Sequence, residues 1–272
     1  MRVFTFIFLL VSSFSWSQSD LKTRLTAVLD KEWEKNQFSG VLLVAQHGKP
    51  LAYHATGYRN FEKKIKLNKT DLFELASVSK QFTSMLIMKL ESDGRIRYDD
   101  TLGKYIPGLP YHQITIRHLL THTSGLPDYQ AIMDTYWDKS KIAGNADAIE
   151  YLKRYPQDIH FRPGENYQYS NTGYLLLASI VEAVTGQDFI DLVHQWIFKP
   201  LKMKSAGFRT PESRKQIKNF ARGHIYEGEK KQYTDADSFP SSNYTIWLGH
   251  RKGPGRISAS AEDLLKWDQA LY

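Results

Sequence analysis

The 272-residue sequence contains no cysteine. A chain without cysteine has no disulfide, no thiol nucleophile and no cysteine to which a lipid anchor can be attached. Its stability therefore comes from ordinary packing. With 42% hydrophobic and 13% aromatic residues, the composition predicts a soluble globular protein with a sizeable core and argues against disorder.

The sequence also lacks an apolar run of about 20 residues, the length that a membrane-spanning helix needs. A shorter apolar stretch, VFTFIFLL, follows Arg2 and precedes a serine-rich segment with Ser15 and Ser17 in small-residue positions. This order is typical of a cleaved export signal. Residues 1–17 are therefore predicted to be a signal peptide, and the mature protein is expected in the periplasm or outside the cell, without a stable membrane anchor.

Nucleic-acid-binding motifs are absent as well, although the formal net charge is +7. The lysines lie in scattered runs, at 62–69, 199–204 and 213–218, without the aromatic residues that nucleic-acid-binding surfaces place between them. Such runs are typical of solvated basic faces. We expect no nucleic-acid partner, and no pattern in the sequence indicates the oligomeric state.

Helical and strand patterns extend along the chain without a repeat or a low-complexity linker. Residues 20–36 carry apolar positions at helical spacing, and 40–58 predict two strands around a turn at His47-Gly48-Lys49. A helix is predicted from 77 to 93. The strand VLLVA is apolar on both faces, which predicts neighbouring strands that the rest of the chain does not obviously supply. Later helical patterns cover 116–125, 145–155, 171–186, 187–198 and 260–272.

A serine stands three residues before a lysine where the helix of 77–93 begins, at Ser77 and Lys80. A serine hydroxyl needs an adjacent base to act as a nucleophile, and a lysine can serve when desolvation or a nearby cation lowers its pKa. Positions i and i+3 share a helix face, and unpaired N–H groups at a helix start can stabilise an oxyanion. Ser19 and Lys22 have the same spacing, however, so a capping serine beside an exposed lysine is the alternative interpretation.

A second polar pair, Tyr169 and Asn171, precedes the helical pattern of 171–186. In an extended loop, side chains two residues apart project to the same side. This motif is also weak by itself, because Tyr58-Arg59-Asn60 matches it. The joint occurrence of the two motifs, each at a predicted helix start, favours a catalytic site.

The stretches around these motifs resemble the serine β-lactamase and penicillin-binding-protein superfamily. Within it they are similar to the class C β-lactamase-like branch of D-alanyl-D-alanine carboxypeptidases and esterases, which is peptidase S12-like. The resemblance implies an α/β (α+β) fold, in which an antiparallel sheet is flanked by helices and accompanied by a helical subdomain, over residues 18–272. The matching stretches are ELASVSKQFTSMLI, ITIRHLLTHTSGLPDY, FRPGENYQYSNTGYLLLASIVEAVTG, PLKM at 200–203 and GRISASAEDLLKWDQAL.

By this resemblance Ser77 is the acyl-accepting nucleophile and Lys80 is its partner. Tyr169 is then the base or a proton shuttle, and Asn171 binds the amide of the substrate. The sequence does not choose between Lys80 and Tyr169 as the proton acceptor. The implied activity is that of an exported serine hydrolase that acts through an acyl-enzyme on β-lactams, D-Ala-D-Ala-type peptides or small esters, with no metal or organic cofactor.

The family's third motif has no counterpart in the sequence. That motif, Lys-Thr-Gly or His-x-Gly on a strand, follows the segment that resembles GRISASAEDLLKW, and the sequence given ends at Tyr272 inside that helix. His122-Thr123-Ser124-Gly125 and Lys252-Gly253-Pro254 are superficial matches that do not lie on plausible strands. We therefore expect a domain whose C-terminal strands are missing. The alternative function is that of an inactive or truncated penicillin-recognising homologue that acts as a binding protein.

Two other kinds of catalytic site have weaker support. His118 and His122 have the i,i+4 spacing of a zinc pair, but Leu119 stands where an H-E-x-x-H motif has its glutamate. No G-x-S-x-G motif of an α/β-hydrolase occurs. We interpret these histidines as helix-packing residues and expect no metal. Candidate walls of a substrate cleft are Tyr129, Tyr136 and Trp247.

Overall fold

The structure is a computed structural model that describes residues 20–35 and 38–272. The predicted signal peptide, residues 1–17, lies outside the described residues. In the two ranges that are described, no helix has the length and apolar character needed to cross a bilayer.

Each predicted helical pattern contains a helix that differs from it mainly at its ends, whereas the helices at Tyr129–Tyr136, Pro211–Lys215 and Tyr244–Trp247 were not predicted. Short 3-10 turns at Ala76–Ser79 and Leu102–Lys104 and a π-turn at His194–Phe198 accompany them. In chain order the helices are α1 (20–34), α2 (Lys80–Ser92), α3 (Ile116–Leu120), α4 (Tyr129–Tyr136), α5 (Asn145–Arg154), α6 (Asn171–Thr185), α7 (Phe189–Val193), α8 (Pro211–Lys215), α9 (Tyr244–Trp247) and α10 (Ala261–Gln269).

The strands are short and form several small sheets instead of one large sheet. The predicted mixture of helices and antiparallel strands is confirmed. In chain order the strands are β1 (Gly40–Gln46), β2 (Lys49–Thr56), β3 (Tyr58–Asn60), β4 (Ile65–Lys66), β5 (Phe73–Glu74), β6 (Gly207–Phe208), β7 (His224–Glu227), β8 (Gln232–Asp235) and β9 (Ile257–Ala259).

The chain forms two compact units, each assembled from segments that are distant in sequence. The hairpin unit contains the described residues up to Phe73, together with Lys218–Ala236 and Ala259–Tyr272. The helical unit contains Glu74–Ile217 and Asp237–Ser258. Ser77, Lys80, Tyr169 and Asn171 all belong to the helical unit.

The hairpin unit is built on β1 and β2, which pair antiparallel with Leu43 opposite Tyr53. His47 and Gly48 connect them with φ values of 49° and 71°, the two positive angles of a type I′ turn. The strand VLLVA, residues 41–45, is only half-buried. Among the described residues β1 pairs with β2 alone, so its other edge is without a partner strand. The further neighbouring strands predicted from the two-sided apolar pattern are not found among the described residues.

Aromatic contacts support the same unit. The ring of Phe61 lies 6.0 Å from that of Trp33 on α1 and 4.0 Å from that of Tyr233 on β8. Among the apolar positions at helical spacing in 20–36, Leu29 is buried, whereas Val28 is 58% exposed and does not contribute to the core.

Helix α6 is the centre of the helical unit. Its sequence YLLLA is apolar on all sides, and a helix of this kind needs neighbours all round. Helices α2, α3, α4, α5 and α7 provide them. Ser170 begins the helix by accepting a hydrogen bond from the Gly173 N–H at 3.0 Å, and Gly186, with a φ of 69°, ends it.

Hydrogen bonds and an ion pair hold the loop between α9 and β9 against α5 and α6. The Asn145 side chain donates to the Lys252 carbonyl at 3.2 Å and accepts from the Lys252 N–H at 2.7 Å, while Lys252 Nζ pairs with Glu182 at 2.7 Å. Gly253 has a φ of +101°, and a Cβ at this position would lie 2.2 Å from the Tyr174 carbonyl oxygen. Only glycine allows the loop to approach α6 this closely.

Replacing Gly253 with alanine should lower the free energy of unfolding by about 2–5 kcal/mol. The left-handed backbone costs roughly 1–2 kcal/mol and overpacking against α6 adds about 1–3 kcal/mol. Gly94→Ala is the matched control, because Gly94 has a φ of +70° and nothing lies within 4 Å of the added Cβ. Urea-induced unfolding measures both variants. Equal losses in the two would contradict the close packing of this loop.

Candidate active site

Ser77 lies in the 3-10 turn Ala76–Ser79, which leads into α2. The predicted helix over 77–93 is therefore wrong at its start, since the α-helix begins at Lys80. In a 3-10 turn, side chains at i and i+3 eclipse each other, so Ser77 faces Lys80 more directly than on an α-helix. Ala76 has a φ of 45°, and this left-handed conformation turns the chain sharply just before Ser77.

Strand β9 holds this turn in place. The Leu75 N–H donates to the Ile257 carbonyl at 2.8 Å, and the Ile257 N–H donates to Ser79 Oγ at 3.2 Å. Ser79 is buried and serves this contact, whereas Ser77 is exposed. The two serines of the turn thus have different surroundings, and Ser77 is the one whose side chain is open to solvent.

Lys80 is buried, with 6% of its surface exposed. Its Nζ donates to Ser77 Oγ at 3.3 Å, to Asn171 Oδ1 at 2.8 Å and to the Pro254 carbonyl oxygen at 3.0 Å. An ammonium group has three N–H donors, and these acceptors match them. The Tyr169 ring centroid lies 4.8 Å from the same nitrogen, a distance at which an aromatic face stabilises a cation.

Tyr169 and Asn171 flank the capping residue of α6. Ser170 occupies the N-cap with extended backbone angles, so Asn171 is the first helical residue and Tyr169 precedes the helix. Tyr169 Oη donates to Ser77 Oγ at 2.7 Å, within reach of the serine proton. The structure therefore brings all four predicted site residues into one hydrogen-bonded cluster.

The electrostatics of the cluster favour proton transfer. Burial and the positive charge of Arg251 lower the pKa of Lys80 to about 8, so roughly a tenth of the amine is neutral at pH 7. A neutral amine has two N–H donors and one lone pair. The oxygens of Asn171 and Pro254 only accept, which leaves the lone pair for Ser77. Lys80 can thus take the serine proton, whereas Tyr169 can take it only as a phenolate, after its own phenol proton has been lost.

Two parts of the cluster were not predicted from the sequence. The loop at Lys252–Pro254, a superficial match to the third motif, supplies the carbonyl that binds Lys80, and its Gly253 carbonyl accepts from Thr83 Oγ1 at 2.8 Å. A backbone carbonyl has no residue signature, and the glycine-rich stretch was the available signal. His122, interpreted as helix-packing, lies in a loop and stacks on Tyr169 with ring centroids 4.6 Å apart.

The predicted aromatic cleft walls need correction. Tyr129 and Trp247 are only 1% and 2% exposed and pack in the core of the helical unit, because both side chains are large and apolar and lie on its inner side. Tyr136 is exposed, but its ring stacks on that of Tyr155 at 3.9 Å. Tyr129 and Trp247 therefore do not face an open cleft.

Over residues 20–35 and 38–272, no group of three or more His, Cys, Asp and Glu side chains is placed to hold a metal ion. The two histidines with zinc-pair spacing have backbone partners. His118 Nδ1 accepts from the Thr115 N–H at 3.2 Å, and His122 Nδ1 accepts from the Ser170 N–H at 3.0 Å. Their rings thus stabilise the backbone around α3 and α6.

The family model described as beta-lactamase matches residues 25–271. The chain belongs to the beta-lactamase family. Penicillin-binding protein 4* of Bacillus subtilis is 38% identical over 252 residues, which cover 92% of this chain and 56% of that protein. Protein flp of Staphylococcus aureus strain MW2 is 29% identical over 256 residues, with 92% and 48% covered. This beta-lactamase family chain spans about half the length of the curated relatives it matches.

Solved structures of the same superfamily share the fold. The octameric penicillin-binding protein homologue from Pyrococcus abyssi aligns with a TM-score of 0.74 at 25% identity, over 91% of this chain and 55% of that chain. The D-amino acid amidase from Ochrobactrum anthropi SV3, complexed with L-phenylalanine amide, aligns with a TM-score of 0.74 at 26% identity, over 91% and 69%. The predicted superfamily and fold class are confirmed, and members of this beta-lactamase-like superfamily are serine hydrolases.

The Lys80 amine should titrate near pH 8 in the folded chain, because burial destabilises its charged form. Carbon-13 NMR of the lysine Cε resonances measures this value, with Lys80→Met assigning the signal. Arg251→Gln should raise the pKa of Lys80, since it removes a nearby positive charge, whereas Arg154→Gln on α5 serves as a control and should leave it unchanged. A Lys80 pKa near 10.5 would contradict a desolvated amine.

Proposed function

We propose that this chain is the catalytic part of an exported serine hydrolase that forms an acyl-enzyme at Ser77. One observation carries the proposal. The exposed Ser77 Oγ accepts hydrogen bonds from Tyr169 Oη at 2.7 Å and from the buried Lys80 Nζ at 3.3 Å. A hydroxyl flanked by groups that can take its proton and return it is what acyl transfer to a serine requires.

The reaction proceeds in two halves. Ser77 Oγ attacks the substrate carbonyl carbon while its proton passes to Lys80 or Tyr169. The tetrahedral intermediate then collapses, the bond to the leaving nitrogen or oxygen breaks, and the leaving group takes that proton, which leaves an acyl ester on Ser77. Water attacks this ester and gives a proton to the same base, and the second intermediate releases the acid as Ser77 regains its proton. The cycle uses no metal or organic cofactor.

The proposed substrates are β-lactams, D-Ala-D-Ala-type peptides or small esters. Support comes from the relatives, which include proteins named as penicillin-binding proteins and a D-amino acid amidase. Penicillins and amino acid amides both present an amide carbonyl that a serine can attack. Because Asn171 Oδ1 accepts from Lys80, we assign its Nδ2 group as the donor to the substrate amide.

The proposed location is the periplasm or the outside of the cell. It rests on the signal-like pattern of residues 1–17. In this setting the partner is a small-molecule or peptide substrate, and the proposal includes neither a nucleic-acid partner nor a stable membrane anchor.

A fluorescent penicillin or a fluorophosphonate should label the chain covalently, and Ser77→Ala should abolish labelling because the attacking oxygen is lost. Tyr169→Phe should slow labelling by about 10²-fold, within the range of general acid–base catalysis. Ser19→Ala removes the serine of the second Ser-x-x-Lys match and should label like the wild type. Gel fluorescence measures the rates, and mass spectrometry locates the adduct.

The outcomes separate the two candidate functions. A wild-type chain that neither probe labels would contradict the catalytic proposal. Penicillin binding that persists in Ser77→Ala, without covalent labelling of the wild type, would support the penicillin-recognising binding protein instead. Support for that alternative comes from relatives named as penicillin-binding proteins.

A further inference from the structure

The segment His122–Gly125 has no part in the chemistry described above, yet the loop that carries Tyr169 lies along it. Four backbone N–H groups of this loop donate to the segment. They are His160 to the Gly125 carbonyl at 2.8 Å, Gly164 to the Thr123 carbonyl at 2.9 Å, Gln168 to the His122 carbonyl at 2.8 Å and Ser170 to His122 Nδ1 at 3.0 Å. The segment His122–Gly125 thus holds the backbone of the loop that ends at Tyr169.

The backbone conformation of His122–Gly125 allows the loop to approach the segment closely. His122 and Gly125 both have left-handed conformations, with φ values of 59° and 69°. A Cβ at Gly125 would lie 2.4 Å from the Phe161 carbonyl oxygen, so glycine is needed for the loop to pass here. A left-handed non-glycine residue such as His122 is uncommon, and such conformations persist where surrounding contacts fix them.

The His122 ring supports Tyr169 directly. The rings of His122 and Tyr169 stack with centroids 4.6 Å apart and planes 29° apart. The ring of Tyr174, a residue of α6, lies 5.0 Å from the His122 ring. The Ser170 N–H fixes the imidazole by donating to Nδ1. Tyr169 is 47% exposed, so the core does not hold its ring from all sides. The His122 ring therefore helps to keep Tyr169 Oη at 2.7 Å from Ser77 Oγ.

We propose that His122 is a positioning residue for the acylation of Ser77. His122 holds the Tyr169 ring by stacking on it, and it holds the start of α6 by accepting a hydrogen bond from the Ser170 N–H. The kinetic part of this inference rests on the proposed function, whereas the contact itself does not. A neutral imidazole is required, because Nδ1 must keep its lone pair. Burial and the positive charge of Lys80 lower the pKa of His122, which agrees with that state.

Two substitutions separate the two contacts. His122→Asn keeps a side-chain acceptor and tolerates a left-handed backbone, but it lacks the stacking ring. His122→Ala lacks both. At saturating fluorophosphonate, the labelling rate should fall by about 10²-fold in His122→Ala, the lower end of general acid–base effects, and by about tenfold in His122→Asn. The half-saturating probe concentration should change by less than about threefold, because His122 does not touch the probe.

A double variant distinguishes positioning from general destabilisation. If His122 acts through Tyr169, adding His122→Ala to Tyr169→Phe should slow labelling by less than about threefold beyond Tyr169→Phe alone. Additive losses, or losses that follow the fraction of unfolded protein measured by urea unfolding, would overturn the proposal.

A readout without activity tests the contact itself. In chain labelled with 3-fluorotyrosine, the Tyr169 fluorine resonance is identified by its loss in Tyr169→Phe. It should shift or broaden in His122→Ala and change less in His122→Asn. An unchanged resonance in His122→Ala would overturn the positioning role. If the resonance shifts but neither probe labels the wild type, the proposed function fails while the His122–Tyr169 contact stands.

Discussion

Burial of the Lys80 amine is the constraint on which the rest of the site depends. A buried ammonium group is costly unless its N–H donors are paired, and the acceptors come from separate segments, namely Ser77, Asn171 and the Pro254 carbonyl. Pairing the N–H donors of Lys80 thus requires the turn before α2, the start of α6 and the loop after α9 to meet at its Nζ atom. The same desolvation lowers the pKa of Lys80 to about 8. The buried Lys80 amine therefore both holds these three segments together and has a lowered pKa.

The backbone around Ser77 is anchored just before the turn. Glu74, three residues upstream, pairs with Arg214 at 2.8 Å and with the fully buried Arg256 at 3.3 Å. Removing one partner of a buried ion pair typically costs about 3–5 kcal/mol, because the other charge is left uncompensated. Burial destabilises the charged form of Arg256 and lowers its pKa to about 10. Ser77 is thus held between this ion-pair network on one side and its contacts with Lys80 on the other.

Features carried by side-chain patterns could be predicted from the sequence, and features carried by the backbone could not. The apolar periodicity of α6 and the pairs Ser77–Lys80 and Tyr169–Asn171 are side-chain signals, and each leads to the right segment. The Pro254 carbonyl and the 3-10 turn depend on backbone geometry, for which the residue types give no specific pattern. Strands of two or three residues, such as β6 and β9, are too short to show alternation. The contact of His122 with Tyr169 was not predicted, because a ring that supports a loop and a ring that packs on a helix have the same residue type.

Ser77 Oγ lies between Lys80 Nζ and Tyr169 Oη, so in the proposed reaction a proton can pass between these two groups through the serine. With a neutral amine, the Lys80 lone pair can accept the serine proton while Tyr169 Oη donates to the developing alkoxide. If Lys80 is an ammonium group and Tyr169 is a phenolate, one proton has moved from Tyr169 to Lys80, and the net charge of the two side chains together is unchanged. The ammonium form with a neutral phenol has one proton more and has no base for Ser77. In the proposed reaction Ser77 therefore needs either a neutral Lys80 amine or a Tyr169 phenolate as its base. Both roles require the two groups to reach one oxygen, and they lie 2.7 and 3.3 Å from Ser77 Oγ.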